Sequence, residues 1–247
     1  KNFQMDGGIG AIASRLTLQG PIKKDTASYI VSGRRTYIDV LTKPFIPDTS
    51  SFKGSGYFFY DLTAKLNWRL SDRDRLYLSS YFGRDVFTFN NQDLDFKFNV
   101  PWGNATASLR WNHLFSDKLF VNTTAVFTDY NFAFEGGASG FNFKLASGIR
   151  DLNLKQDFTF YKNSLHNLKF GWNYTFHRFI PSSLSASSGD VEFDTQDDVK
   201  VYGNESALYF LDEWNVNENL KINIGFRLSM YQHIGPFTRY YKNPNSG

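Results

Sequence analysis

Apolar and polar residues alternate at period two over runs far longer than an ordinary strand, and this restricts what the chain can fold into. From Ser55 to Leu70 one parity reads Gly56, Phe58, Tyr60, Leu62, Ala64, Leu66, Trp68 and Leu70. The other reads Ser55, Tyr57, Phe59, Asp61, Thr63, Lys65, Asn67 and Arg69. Successive side chains of a strand point to opposite faces, so this run builds one apolar and one polar face. His166 to Ile180 repeats the pattern, and so does Leu220 to Met230. Weaker versions occupy Leu16–Leu18, Leu76–Phe82, Ala105–Trp111, Leu119–Phe127, Leu152–Phe160 and Ser206–Val216. The clearest runs reach about 15 residues, whereas globular strands average ~5–6. Crossing a bilayer at the usual tilt takes ~9–11 residues, with any surplus projecting beyond it.

The connections alternate in length. Tight polar turns fall at Lys23-Lys24-Asp25, Ser71 to Asp74, Ser116 to Lys118, Lys162 to Ser164 and Asn215 to Asn219. Longer joins lie between them, at Thr42–Gly54, Asn90–Pro101, Glu135–Gly140 and Pro181–Gly203. One end of the sheet is trimmed and the other elaborated, as in barrels with short periplasmic turns and long outer loops. Trp68, Trp111, Phe115, Phe120, Phe160, Tyr161 and Trp214 sit close to the short turns, the level at which a membrane interface selects aromatics.

Composition narrows the alternatives. The 247 residues carry Lys+Arg 27 against Asp+Glu 24, and a net charge of +3 gives no electrostatic ground for a nucleic-acid partner. The chain has no cysteine, which excludes disulfides and thiolate metal sites. No run approaches the ~18 continuous apolar residues of a membrane helix. The mean hydropathy of −0.41 is the average of two opposed faces. A soluble sandwich needs turn signals every ~8–12 residues, and a propeller blade needs four short strands where two long ones stand here. The reading is therefore all-β, a transmembrane antiparallel up-and-down β-barrel. Ten strands are clear, with Asn2 to Gly8 a candidate eleventh. The last runs away from a tight turn into Pro236–Gly247, so the expectation is an excerpt of a larger barrel.

Few motifs carry chemistry. Gly8 to Ala13 fits a G-x-G-x-x-A fingerprint but lacks the strand-then-helix context, and reads better as close packing at a hairpin. His113, His166, His177 and His233 show no metal-binding spacing. His177 shares the polar parity of its strand with Asn173 and Thr175 and is expected to look into a lumen, while His166 borders a tight turn. Asp190, Glu192, Asp194, Asp197 and Asp198 crowd the longest join, and Asp194, Asp197 and Asp198 are weak candidates for a Ca²⁺ site. Arg34 and Arg35 are adjacent, and a bulge near Gly33 would turn both inward. The N-x-[ST] triplets at Asn104, Asn122, Asn173 and Asn204 are read as chance.

Gly7 to Ile22 (GGIGAIASRLTLQGPI) and Lys23 to Leu41 (KKDTASYIVSGRRTYIDVL) resemble the start of the barrel in TonB-dependent outer-membrane receptors of the Bacteroidetes type. Ala105 to Phe132 and Leu220 to Tyr231 are similar to later barrel segments of that group. The resemblance implies a 22-stranded barrel in the bacterial outer membrane, of which residues 1–247 are the N-terminal half, strands about 1 to 11. The plug domain and the remaining strands are absent from the sequence. It implies a receptor importing a scarce nutrient (a metal chelate, a glycan or a peptide) and no enzyme or cofactor. Its implied partners are outer-membrane lipid, the plug, the TonB complex through that plug, and a surface lipoprotein. Arg35, Asp61, Lys65, Asn173 and His177 are the candidates for facing a ligand or the plug. The competing readings are a complete ten-stranded outer-membrane protease or lipase, and a structural barrel subunit.

Overall fold

The computed structural model describes residues 2–47, 49–194 and 200–235. Its strands are β1 (Gln4–Ile9), β2 (Ala13–Lys23), β3 (Ala27–Thr36), β4 (Gly56–Arg69), β5 (Asp74–Asn91), β6 (Phe96–Leu114) and β7 (Leu119–Ala138). They continue as β8 (Phe141–Tyr161), β9 (His166–Ser188), β10 (Val191–Asp194), β11 (Val201–Asn217) and β12 (Leu220–Ile234). One short helix, α1 (Ile38–Thr42), and a 3-10 turn at Lys43–Phe45 lie between β3 and β4. All strands join one antiparallel up-and-down sheet, each paired to the next, with the short β10 folded back on the end of β9 so that β11 follows β9. Among the described residues, β1 and β12 pair on one side only.

The short turns are written in side chains that hydrogen-bond the backbone two or three residues on. Asn163 Oδ1 accepts from Leu165 N at 2.9 Å and His166 N at 2.8 Å. Asn217 Oδ1 accepts from Asn219 N at 2.9 Å and Leu220 N at 3.0 Å. Ser116 Oγ and Ser71 Oγ accept in the same way between β6 and β7 and between β4 and β5. At this end Asp74 accepts from Trp111 Nε1 at 3.0 Å and pairs with His113 Nδ1 at 2.7 Å, while His166 stacks on Trp214. These rings and their carboxylates form the aromatic level expected of a membrane interface.

The opposite end differs from the sequence reading. Only the Thr42–Gly54 join remains mostly irregular. The joins at Asn90–Pro101 and Glu135–Gly140 are strand except for their tips, and much of Pro181–Gly203 is strand as well, so β5 to β9 run 18 to 23 residues. The sheet continues at this end as tall hairpins.

A single sheet has no globular core, and the described residues show it. Val121, Ala27 and Ala207 are the buried apolar residues, whereas Leu62, Phe82, Leu109, Leu152, Leu208 and Phe226 are 44–66% exposed. The exposed set lies on one face. In register, Leu62 opposes Phe82 and Gly33, Ala107 opposes Phe127, and Leu152 opposes Phe127 and Phe176. This outward apolar band spans Leu62–Trp68, Leu76–Phe82, Ala105–Trp111, Val121–Phe127, Leu152–Phe158, Leu168–Phe176 and Ile222–Met230. The nine-residue bands of β9 and β12 come close to a tilted crossing of an apolar layer about 25 Å tall, and the seven-residue bands cover roughly three quarters of it. An apolar face of this extent needs a cover, and lipid is the cover that fits a belt of constant height.

Above the belt the faces exchange character. The outward parity becomes Arg84, Asp129, Arg150 and Arg178, then Lys97, Glu135 and Lys144. Glu135 pairs with Lys144 Nζ at 2.8 Å, and this hydrogen bond holds the Glu135 carboxyl below its usual range. A depressed carboxyl stabilises the fold above its unfolded pKa, and the contribution disappears as pH falls through the folded value. Hydrogen exchange on β7 and β8 should therefore loosen at the hairpin tip below about pH 4.5. Glu135→Gln should remove that acid response.

The facing assignment carries its own test. Leu66→Arg, near mid-belt, should lower the stability of the inserted protein by ~2–4 kcal/mol, while neighbouring Asn67→Arg should be tolerated. Denaturant titration in bilayers measures both.

Candidate functional site

The inward face is polar through the membrane level and holds two groups of interacting side chains. The first lies on β3 to β5. The register of β3 on β4 runs without a shift from Ala27 to Arg35, so no bulge forms at Gly33 and the two arginines part. Arg34 opposes Asp61, hydrogen-bonds its carboxylate through Nε, and lies over the Phe59 ring at 5.1 Å. Arg35 opposes Tyr60 on the outward parity, where it lies over Phe58 at 5.4 Å and pairs with Asp39 at 3.6 Å. The sequence choice of Arg35 is thus corrected to Arg34. Intact alternation sends consecutive residues to opposite faces, and Asp61 fixes which one turns inward. Lys65 lies on the Asp61 parity, between Ile30 and Ser79.

The second group lies on β8, β9 and β11, separated from the first by β6 and β7. His177 Nδ1 hydrogen-bonds Asp151 Oδ1 at 2.8 Å, and its Nε2 stands 3.8 Å from Glu205 Oε2. Asn153 Nδ2 donates to Asn173 Oδ1 and to Thr175 Oγ1, each at 2.8 Å. Asn173 and His177 are brought together along β9 with these partners, whereas Asp61 and Lys65 belong to the other group. Asp151, Asn153 and Glu205 were missed because their importance comes from register. Each stands beside a β9 residue that is remote in sequence.

The metal candidates gain no support from geometry. Asp194 ends β10, and Asp197 and Asp198 lie outside the described residues. Among the described residues no group of three or more His, Asp or Glu is placed to hold a metal ion. The glycine fingerprint forms the β1–β2 hairpin, with Gly10 N donating to Ala13 O at 2.9 Å.

Above these groups the inward face turns aromatic, a feature the sequence reading passed over as loop. Phe98 contacts Phe87, Phe89, Phe96 and Phe134 with ring centroids 5.1–5.8 Å apart, and Phe134 meets Phe143 at 5.3 Å. Tyr57 stacks on Trp102 at 6.4 Å and donates to Asp85 Oδ1 at 2.6 Å. Burial and the Asp85 carboxylate push the Tyr57 hydroxyl up to about 12, so it remains a donor at neutral pH. The signal was present as a phase change: in β5 the odd positions run Tyr77, Ser79, Tyr81, Gly83, Asp85 and then Phe87, Phe89. A polar wall beneath an aromatic mouth can take up a solute with a flat apolar part and pass it to hydrogen-bonding groups below.

No family model and no curated protein matches the sequence. Solved structures do. BauA, the ferric preacinetobactin receptor from Acinetobacter baumannii, aligns at a TM-score of 0.63 and 11% identity over 90% of this chain and 39% of its own. The siderophore receptor PirA from the same organism aligns at 0.58 and 14%, over 93% and 38%. The sheet has the barrel fold of these receptors. It spans about two fifths of their length. In that fold the apolar belt faces outward, and both polar groups and the aromatic mouth face the bore.

One glycine on this wall tolerates no side chain. A Cβ on Gly171 would stand 2.1 Å from the Gln156 carbonyl and 3.0 Å from the Tyr209 ring, which lies across it. Tyr209 is held there by Asp157, to which its hydroxyl donates. Gly171→Ala should shift the β8–β9 ladder and lower the unfolding midpoint, whereas Ala207→Gly on the neighbouring strand should change it far less. Thermal melts of the inserted variants check this.

Proposed function

We propose that the chain forms part of the barrel of a TonB-dependent outer-membrane receptor that imports a scarce nutrient, with further strands closing the sheet along β1 and β12. A strand edge within lipid leaves backbone groups unpaired, which favours a larger closed barrel over a complete ten-stranded enzyme. The plug that fills such a bore, and the TonB complex acting through it, are the partners of this reading. The observation that carries it is the stacking of levels on the inward face: aromatic at the mouth, charged and amide groups at the membrane level. A transport wall needs that sequence, because capture uses apolar contact area and passage needs hydrogen bonds that exchange with water.

Among a metal chelate, a glycan and a peptide, we take a metal chelate with aryl groups as the cargo. The Phe98 cluster offers ring faces, and the Arg34–Asp61 pair supplies polar groups on the same wall. BauA and PirA, which share the fold, are a ferric preacinetobactin receptor and a siderophore receptor.

Trp102 stands in the mouth and reports on it. Ferric catecholate chelates added to the intact receptor should quench its fluorescence at micromolar concentration, and a linear maltooligosaccharide should not. Phe98→Ala should weaken chelate binding about tenfold, equivalent to ~1.4 kcal/mol of lost contact. Quenching by the sugar and not by the chelate would reverse the cargo assignment.

A further inference from the structure

The outward face holds a row of charged side chains at the upper edge of the apolar belt. Asp129, Arg150, Arg178 and Tyr202 stand directly opposite one another on β7, β8, β9 and β11. Arg150 Nε donates to Asp129 Oδ2 at 2.8 Å and its guanidinium lies over Phe127 at 6.0 Å. This pairing occupies the side of Arg150 turned away from β9. On the other side Arg178 faces Arg150 as a like charge, an arrangement that destabilises a cross-strand pair unless something neutralises it. Arg178 Nε is buried and has no hydrogen-bond partner. Beneath the row lie Phe127, Leu152 and Phe176, the last stacked on Tyr202 at 5.8 Å.

We infer that Arg150 and Arg178 form a seat for the phosphate headgroup of an anionic membrane lipid. The inference rests on the proposed reading in one respect, that this face meets a bilayer. The charge balance of the row is one carboxylate against two guanidiniums, so one anion completes it. A guanidinium matches phosphate through paired N–H donors, and Arg178 has donors to give because its own strand neighbours take none. The apolar side chains directly below are where the acyl chains of such a lipid would run. A free soluble anion would use the same donors but would gain nothing from Leu152 and Phe176.

The test compares the intact protein in phosphatidylcholine vesicles with and without phosphatidylglycerol, and in phosphatidylcholine with added inorganic phosphate. Phosphatidylglycerol should raise the wild-type melting midpoint by about 2–4 °C. Arg178→Gln should lose most of that rise, Arg150→Gln a large part, and Arg110→Gln on the inward face none. In phosphatidylcholine alone Arg178→Gln should melt at or above the wild type, because the like-charge contact is gone; this shows that the variant folds. An undiminished response in Arg178→Gln would overturn the seat. An equal rise with inorganic phosphate alone would replace it with a free-anion site. Failure of the protein to insert into either vesicle would overturn the membrane reading itself, and the seat with it.

Discussion

Backbone hydrogen bonding in the absence of water is the constraint from which the rest of this structure follows. Within hydrocarbon an unpaired N–H or C=O has no partner but another strand, so each strand must run in continuous register with its neighbours. The long ladders meet that demand: β5 on β6 and β7 on β8 pair through their full lengths, including the hairpin tips. Register shifts are confined to places such as Pro21, which has no N–H to give, and Ser147 above the belt. A ladder this regular leaves each residue only two options, outward or inward. Function then has to be written in parity.

Two different solvents act on that parity. At the membrane level the outward positions select Leu, Phe and Trp and the inward ones select Asn, Thr, Lys and Asp. Above it water wets the outer side, so the outward set becomes Lys97, Glu135 and Lys144, and the inward set becomes phenylalanine. The exchange occurs at Arg84 on β5, Asp129 on β7 and Arg150 on β8. Arg84 opposes Gly103, whereas Asp129 opposes Ala105, so the boundary steps by two residues between β5 and β7 and then follows one row from β7 to β9.

Much of this was legible in the sequence. The alternation in Ser55 to Leu70 gave the faces of β4 residue by residue, and Ser71, Ser116, Asn163 and Asn217 marked the turns they cap. What could not be read was anything decided between strands. Nothing local to Arg34 or Arg35 says which opposes Asp61, since that depends on where β4 begins relative to β3. The pairing of His177 with Asp151 is likewise a consequence of register across a hairpin. The tall extensions were misread for a different reason: Phe87 and Phe89 continue the strand but on the other parity, and a search for apolar residues on one face takes that change of phase for the end of the element.

The contact between Tyr209 and Gly171 has a consequence for how much room the wall leaves. A tyrosine on an inward position would ordinarily project its ring several ångströms toward the axis. Here the ring lies flat because the glycine across from it has no side chain, and Asp157 clips its hydroxyl down. Tyr81 also lies over a glycine on this face, Gly83 two residues along its own strand, its hydroxyl within 2.3 Å of where a Cβ would stand. The clearance along the inward face is therefore set less by which large residues stand on it than by the glycines into which they recline. A methyl group at such a position would act as a hinge stop, standing a phenol upright off the inward face.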